Sequence, residues 1–330
     1  MNIKKITEEL KNQPNYRIKQ VKKALFDRGV SGWDEVTSLP KSLRESLKSD
    51  NPLKIEVDLS KSEDGKTEKA SIVLKDGLRV EAVLMKYEGR NTVCVSCQVG
   101  CNLGCKFCAT GKMGIRRNLK ADEMIMQVYY FLSRLPDDQR VDNVVFMGMG
   151  EPFLNYKQVI KAVDYLNDED GFNIGSRNIS VSTAGIPEKI KMFAKDKPQV
   201  NLVISLHGAD SETRSRLMPI NEKYPLEDLF EAVDFYTEKT NRKVMFEYIP
   251  FSGINDRKKD IDNLVDLLLD RLHFINVIPY NPTGFIDGVS EEELINFKNK
   301  LRQRGLNAGI RRSFGQDIEG ACGQLANKQN

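Results

Sequence analysis

The sequence predicts an α/β chain built on a parallel sheet, with a small helical module before it. Three observations carry this. From residue 121 onward, short apolar runs alternate with amphipathic stretches, the pattern of strands joined by crossover helices. Residues 1–50 show helical periodicity only, and residues 51–92 alternate strand-like runs with polar turns. The hydrophobic fraction of 40% and charged fraction of 29% over 330 residues are those of a globular protein with one sizeable core and an appendage.

In residues 1–50, Ile18, Val21, Ala24 and Leu25 recur at helical spacing, with Lys19, Lys22 and Lys23 on other faces. A second segment begins near Pro40, with Leu39, Leu43 and Leu47 four residues apart. Arg17, Lys19, Lys22, Lys23, Lys41 and Arg44 concentrate here, as a solvated helix surface or as a face that grips RNA phosphates. Runs at 54–59, 70–74 and 80–84, separated by Glu63-Asp-Gly and Asp76-Gly, read as a small antiparallel sheet. A helix is expected over 121–132, then a strand over 144–147 that ends in Gly148-Met-Gly150-Glu151. Strands at 178–183, 200–206, 244–249 and 274–279 follow, each reached through one helix. Ser290-Glu-Glu-Glu293 is a capping box for a last helix, with Leu294, Phe297 and Leu301 inward and Gly305 as its stop, before a strand at 308–311. The count is about six βα units, fewer than the eight of a full barrel, and it leaves open whether the sheet closes. Three units are expected: a helical module at 1–50, a β extension at 51–92 and a core at 93–330.

Cys101-Asn-Leu-Gly-Cys105-Lys-Phe-Cys108 can point three thiolates into one concavity. A cubane iron–sulfur cluster normally takes four, so three would leave one iron open to a chelating ligand. Zinc would want a fourth Cys or His; the candidates are Cys94 and Cys97 just upstream and the distant His207 and His273. Five of the six cysteines fall between 94 and 108, which suggests local chemistry in a reducing compartment rather than a disulfide framework. No apolar run approaches a membrane span and the N-terminus lacks a signal-peptide core, so a cytoplasmic protein without a membrane partner is expected. The net charge of +3 says little about partners.

Ligands of parallel sheets bind at the C-terminal ends of strands. Gly150, Glu151, Ser182, Ser205, Leu206, His207 and Asn281 all follow or end expected strands, and each alone reads as readily as structure. Cys322, between Ala321 and Gly323, is either a small buried hydrophobe or an accessible thiol on a flexible loop. Glu81 by itself is an ordinary strand carboxylate.

The spacing C-x3-C-x-(aromatic)-C resembles the signature of the radical S-adenosylmethionine (SAM) enzymes. The wider stretch 93–111 and Gly320-Ala-Cys322-Gly-Gln-Leu325 together resemble the RlmN/Cfr family of RNA adenine methyltransferases. The resemblance implies an open partial (β/α)6 TIM-type barrel. It implies a [4Fe–4S] cluster on Cys101, Cys105 and Cys108, two SAM per turnover, and SAM contacts from Gly150, Glu151, Ser182, Ser205, Leu206, His207 and Asn281. Cys322 corresponds to the cysteine that one SAM methylates, Cys94 to the thiol that resolves the RNA adduct by a transient disulfide, and Glu81 to the proton acceptor. Cys97 departs from the family's Ser or Thr, and it is either inert or a substitute for Cys94. The implied partners are 23S rRNA, some tRNAs and an electron donor such as flavodoxin, with the chain a monomer. Pro152 resembles the RlmN branch, which methylates adenine C2. Arg17-Ile-Lys-Gln20, Lys106–Gly111 and Ser313-Phe-Gly315 lean towards the Cfr branch, which methylates C8 and confers antibiotic resistance. A metal-bound RNA-binding protein without catalysis is the remaining alternative.

Overall fold

The computed structural model describes residues 3–27, 29–48, 53–284, 286 and 288–326. The domain boundary expected at residue 50 lies outside the described residues. Twelve strands are found among the described residues: β1 (Val57–Lys61), β2 (Thr67–Val73), β3 (Arg79–Tyr87), β4 (Arg90–Val95), β5 (Gln98–Cys101), β6 (Gly114–Asn118), β7 (Asn143–Phe146), β8 (Ile179–Thr183), β9 (Asn201–Ser205), β10 (Val244–Tyr248), β11 (His273–Val277) and β12 (Ala308–Ile310). Ten of them form one sheet in the order β1-β2-β3-β4-β7-β8-β9-β10-β11-β12. The pairings from β1 to β4 are antiparallel, and β4 and β7 to β12 run parallel. The sheet is open: β1 and β12 are its edges. Six crossovers separate the seven parallel strands, which agrees with the six βα units read from the sequence.

The two faces of the parallel region differ in chemistry. Val93, Val144, Phe146, Val181, Leu202, Ile204, Phe246, Tyr248, Ile275 and Val277 are buried on the outer face, in one core with the crossover helices. Each such side chain contributes about 1.5–3 kcal/mol by leaving water. The alternate positions face the lumen, because side chains in a strand have period two. The paired register carries this parity from strand to strand: Val83 opposes Cys94, Cys94 aligns with Val145, Ser182 with Val203, Ser205 with Glu247, Glu247 with Asn276, and Asn276 with Gly309. The lumen therefore receives thiol, hydroxyl, carboxylate and amide groups from successive strands.

Two local details differ from the sequence reading. A bulged hairpin of β5 and β6 flanks the cysteine stretch, so Cys101 ends a strand rather than lying in a loop. The crossover between β9 and β10 holds three helices, Ser211–Leu217, Ile220–Lys223 and Leu226–Thr240, where one was expected. Asp210 N-caps the first and Pro219 breaks the path to the next, a start and a stop signal that both act at short range.

The N-terminal helices Ile3–Leu10, Asn15–Phe26 and Lys41–Lys48 pack on the outside of the barrel. Lys22 and Lys19 pair with Asp168 (2.8 Å) and Asp170 (3.2 Å), Phe26 meets Phe172 at 4.8 Å, and Tyr129 donates its hydroxyl hydrogen to the Val30 carbonyl. Residues 311–326 then tie the end of the sheet back to its beginning. Glu63 N–H donates to Asp317 (2.8 Å), Lys69 Nζ to the Glu319 carbonyl (3.4 Å) and Ala109 N–H to the Gly323 carbonyl (2.7 Å).

Gly148, where β7 leaves the sheet, has no room for a side chain. A Cβ there would lie 2.6 Å from Ser96 Oγ and 2.8 Å from the Val95 carbonyl oxygen. Gly148→Ala should therefore force β4 and β7 apart and lose about 2–3 kcal/mol of stability, read from the midpoint of urea unfolding.

Candidate active site

At the C-terminal ends of the parallel strands lies a cavity of about 140 Å³. Cys101, Cys105 and Cys108 line it from the cysteine loop, with Gly150 and Glu151 after β7, Ser182 on β8, Ser205 and His207 at the end of β9, Glu247 on β10, and Cys322 and Gly323 from the tail. Leu206, Asn281, Cys94 and Glu81 are not part of this lining. Leu206 is fully buried and contributes backbone only, its N–H going to the Glu247 carbonyl (3.0 Å). Asn281 holds the tail: its Nδ2 donates to the Cys322 carbonyl (3.0 Å), and its Oδ1 accepts from Gln316 Nε2 (2.6 Å).

The cysteine loop is fixed at both ends of its turn. Cys108 N–H donates to the Cys105 carbonyl (3.1 Å), and Lys106 N–H donates to the carbonyl of Leu217, the last residue of the Ser211–Leu217 helix. Burial holds the Cys101 thiol up at about 12 and Cys105 well above the ordinary thiol value. These thiols stay protonated until a metal takes the sulfur, since coordination deprotonates a thiol.

Glu151 and His207, two further metal-ligating groups at the cavity, are already engaged. The Glu151 carboxylate accepts from Thr183 Oγ1 (2.7 Å), Ala184 N–H (2.8 Å) and Phe153 N–H (2.9 Å). Burial still raises its pKa, against these three hydrogen bonds. His207 Nδ1 accepts from Ile249 N–H (3.2 Å), which leaves the ring proton on Nε2. Its edge-to-face contact with Phe107 is 4.6 Å between centroids, and burial, with Arg214 as a lesser cause, lowers its pKa to about 3. The ring is a neutral donor at physiological pH, neither a base nor a fourth ligand. Among the described residues no three His, Cys, Asp or Glu side chains are placed to hold a single metal ion. Three thiols from one short loop, with Cys322 reaching the cavity separately from the tail, fit a cluster in which each sulfur reaches a different iron and one iron stays open; they are not gathered around one point as a zinc tetrahedron requires.

Gly150 shows why the strand end is glycine-rich. Its φ is +101°, and a Cβ would lie 2.5 Å from Gln98 Cβ. Gln98 Oε1 accepts from Glu151 N–H (2.8 Å), so the turn is drawn tight against the cysteine hairpin.

The second group of thiols lies deeper. Cys94 shares the inner sheet face with Val83, and Glu81 is the next inward residue on β3. Ser96 Oγ donates to the Glu81 carbonyl (2.5 Å). Burial lifts Cys94 to about 12, and the nearby Cys322 adds to that. Cys322, expected on a flexible accessible loop, is half-buried and fastened through its own carbonyl. Its pKa is raised by burial, against the opposing charge of Arg311. Glu81 sits 3.5 Å from Lys69 Nζ, with Oε2 buried and unpartnered, and burial raises its pKa against the pull of Lys69. Cys97 packs into the hydrophobic core, with its carbonyl taken by Leu119 N–H and Asn155 Nδ2, and lies outside the cavity lining.

Sequence reasoning missed Glu247 and Arg311. Arg311 Nη1 pairs with Glu247 Oε1 and approaches Met147 Sδ at 3.0 Å, so this ion pair crosses the lumen above β11. The available signal was a lone carboxylate in the apolar run Val244-Met-Phe-Glu247-Tyr.

The depressed His207 value gives a pH test of the fold. The unfolded chain takes up a proton at this residue below about 6.5 and the folded chain does not, so stability falls as pH drops from 6.5 towards 3. The slope from this group is at most about 1.4 kcal/mol per pH unit. His207→Asn keeps an acceptor for Ile249 N–H and tolerates the positive φ of 52°. It should remove that component from a plot of unfolding free energy against pH.

Residues 95–268 match the radical SAM superfamily model. A Bacillus velezensis protein named "Probable dual-specificity RNA methyltransferase RlmN" is 45% identical over 95% of this chain and 88% of its own length. A Dictyoglomus turgidum protein of the same name is 40% identical over 95% of this chain and 91% of its own. The crystal structure of a radical SAM methyltransferase from Sphaerobacter thermophilus superimposes with a TM-score of 0.91 at 40% identity, covering 98% of this chain and 97% of that one. With its three-thiol cavity at the mouth of an open parallel barrel, the chain belongs to the radical SAM superfamily and, within it, to the RlmN family of dual-specificity RNA methyltransferases.

Proposed function

We propose that this radical SAM RNA methyltransferase methylates C2 of adenine 2503 in 23S rRNA and of adenine 37 in some tRNAs, with Cys322 as the methyl carrier. The observation that carries the reading is the convergence of two thiols and a carboxylate on the barrel interior. Cys94 and Glu81 share the inner face of β4 and β3, while the tail brings Cys322 to the cavity lined by Cys101, Cys105 and Cys108. A binding protein needs no such second set of thiols. The RlmN name of the full-length relatives supports C2 rather than C8.

In this reading Cys101, Cys105 and Cys108 would hold a [4Fe–4S] cluster, which would supply the one-electron chemistry that cleaves SAM and provides the radical needed at carbon. Backbone groups of Gly150 and Glu151, the hydroxyls of Ser182 and Ser205, and the Nε2–H of His207 offer neutral partners to the bound SAM. The Cys322 thiolate takes a methyl group from SAM: its S–C bond forms as the sulfonium–methyl bond breaks. A carbon radical on that methyl group can add to the electron-poor adenine carbon, where ordinary displacement cannot. The adduct's unpaired electron passes to a one-electron acceptor such as an oxidised flavodoxin-type carrier, and Glu81 accepts the proton from that carbon, a role suited to a buried carboxylate whose pKa is raised. Cys94 releases the RNA by bonding to the Cys322 sulfur, and the sulfur–carbon bond breaks with its electron pair left on the product. A flavodoxin-type donor supplies the electrons. Lys19 and Lys22 are already paired with aspartates of the barrel, whereas Arg17 and Arg44 donate to the neutral amide oxygen of Gln20 and the carbonyls of Ser38 and Asp34, so RNA phosphates would draw on Arg17, Lys41 and Arg44 instead.

The test uses anaerobically reconstituted protein, SAM, reductant and a 23S rRNA fragment, with nucleosides read by mass spectrometry. 2-Methyladenosine is expected, and 8-methyladenosine would move the chain to the other branch. Cys322→Ala should leave the cluster absorption intact and yield no methylated base. Cys94→Ala should accumulate a protein–RNA crosslink, with product falling at least about tenfold; normal turnover would remove Cys94 from the release step.

A further inference from the structure

Arg214 is the largest fully buried side chain of the described residues, with no exposed surface. Its hydrogen bonds all go to neutral acceptors. Nε donates to the Leu206 carbonyl (3.2 Å), Nη1 to Asn221 Oδ1 (2.9 Å), and Nη2 to the carbonyls of Ala184 (2.5 Å) and Ser205 (3.4 Å). Among the described residues it forms no ion pair with a carboxylate, and the titratable groups that feel its charge are the Cys105 thiol and the neutral His207 ring. A buried ion carries a penalty of several kcal/mol, and buried charges are ordinarily paired. Neutral carbonyl oxygens offset part of that cost. The rest calls for an anion.

The fold shows where the anion would sit. Ala184 and Ser205, whose carbonyls hold the guanidinium, line the site cavity together with Cys105 and Met218. Arg214 lies one turn before Leu217, whose carbonyl accepts Lys106 N–H from the cysteine loop at 3.0 Å. Gly208 lets the strand end close on this helix: a Cβ there would lie 2.7 Å from Arg214 Cα. The cation is thus built into the wall behind the cysteine loop, on the Cys105 side, and its hydrogen bonds within the protein fix it in place.

We infer that Arg214 is the built-in counter-charge of the site, balancing the negative charge that remains when three thiolates outweigh the positive charge of the iron–sulfur core and that grows when the cluster is reduced. The inference rests on the reading given under Proposed function. It assigns Arg214 a positioning and electrostatic role, not a contact with the reacting atoms. A positive charge beside the cluster stabilises the reduced, more negative state and so raises the reduction potential.

Asn221→Asp tests this without removing the arginine. It sets a carboxylate where an amide oxygen already accepts from Nη1, so the cation is neutralised in place. The midpoint potential of the reconstituted, SAM-bound cluster is measured by redox titration with electron paramagnetic resonance, beside the thermal midpoint of the chain before loading. Asn221→Asp should move the potential to more negative values by an amount equivalent to about tenfold in the reduction equilibrium, ~59 mV for one electron. It should also raise the thermal midpoint of the unloaded chain. Arg214→Lys should hold most of the potential, and Arg214→Gln should match Asn221→Asp. An Asn221→Asp potential equal to that of the parent would overturn the inference and leave Arg214 as a staple between loops. Failure of Asn221→Asp to load a cluster counts for the inference if the unloaded chain is more stable than the parent, and against it if the chain is less stable. A parent chain that forms no [4Fe–4S] absorption removes the reading beneath it.

Discussion

The register of the parallel strands decides what enters the barrel. Because side chains alternate, a slip of one residue between β4 and β7 would carry Cys94 to the helix-covered face and bring Val93 or Val95 into the lumen. The outer face resists such a slip, since nearly every position there is a buried aliphatic or aromatic residue. The hydrophobic core thus fixes the chemistry at one remove. It locks a register, and the register points thiols, hydroxyls and carboxylates inward. The antiparallel strands are part of the same device, for β3 enters the lumen face with Glu81 only because it pairs with β4 at Val83 and Cys94.

Burial in the lumen governs the state of its groups. Burial holds both Cys94 and Cys322 as thiols and keeps His207 neutral, while Arg311 and Glu247 compensate one another across the strands. Arg311 also acts against burial at both of these thiols. The tail belongs to this arrangement as well: Asn281 is occupied at both ends of its amide by tail residues, so whatever takes that amide loosens the segment that carries Cys322.

Much of the fold was legible because its signals are local. The capping box at Ser290 and Glu293 forms, Leu294, Phe297 and Leu301 are buried, and Gly305 adopts a φ of +88° at the helix stop. The six βα units followed from apolar runs that only a sheet covered by helices requires. The β5–β6 hairpin was not legible: its strands are short, its register is bulged, and its residues serve the cysteine turn rather than a core. For the site, the thiol spacing pointed to three ligands from sequence. Glu81 and Cys94 came from resemblance alone, since a strand carboxylate and a buried cysteine carry no mark of their partners. Glu247, Arg311 and Arg214 were invisible because their meaning lies in residues 64, 64 and 30 positions away.

The central claim is that the register and the tail set Cys94, rather than Cys97, against Cys322. It is tested on the full chain with Cys101, Cys105 and Cys108 replaced by alanine, so that three thiols remain. Mild oxidation followed by peptide mass mapping should give a Cys94–Cys322 disulfide and leave Cys97 free. A Cys97–Cys322 linkage as the main product would contradict the lumen-facing register and the division of roles drawn from it.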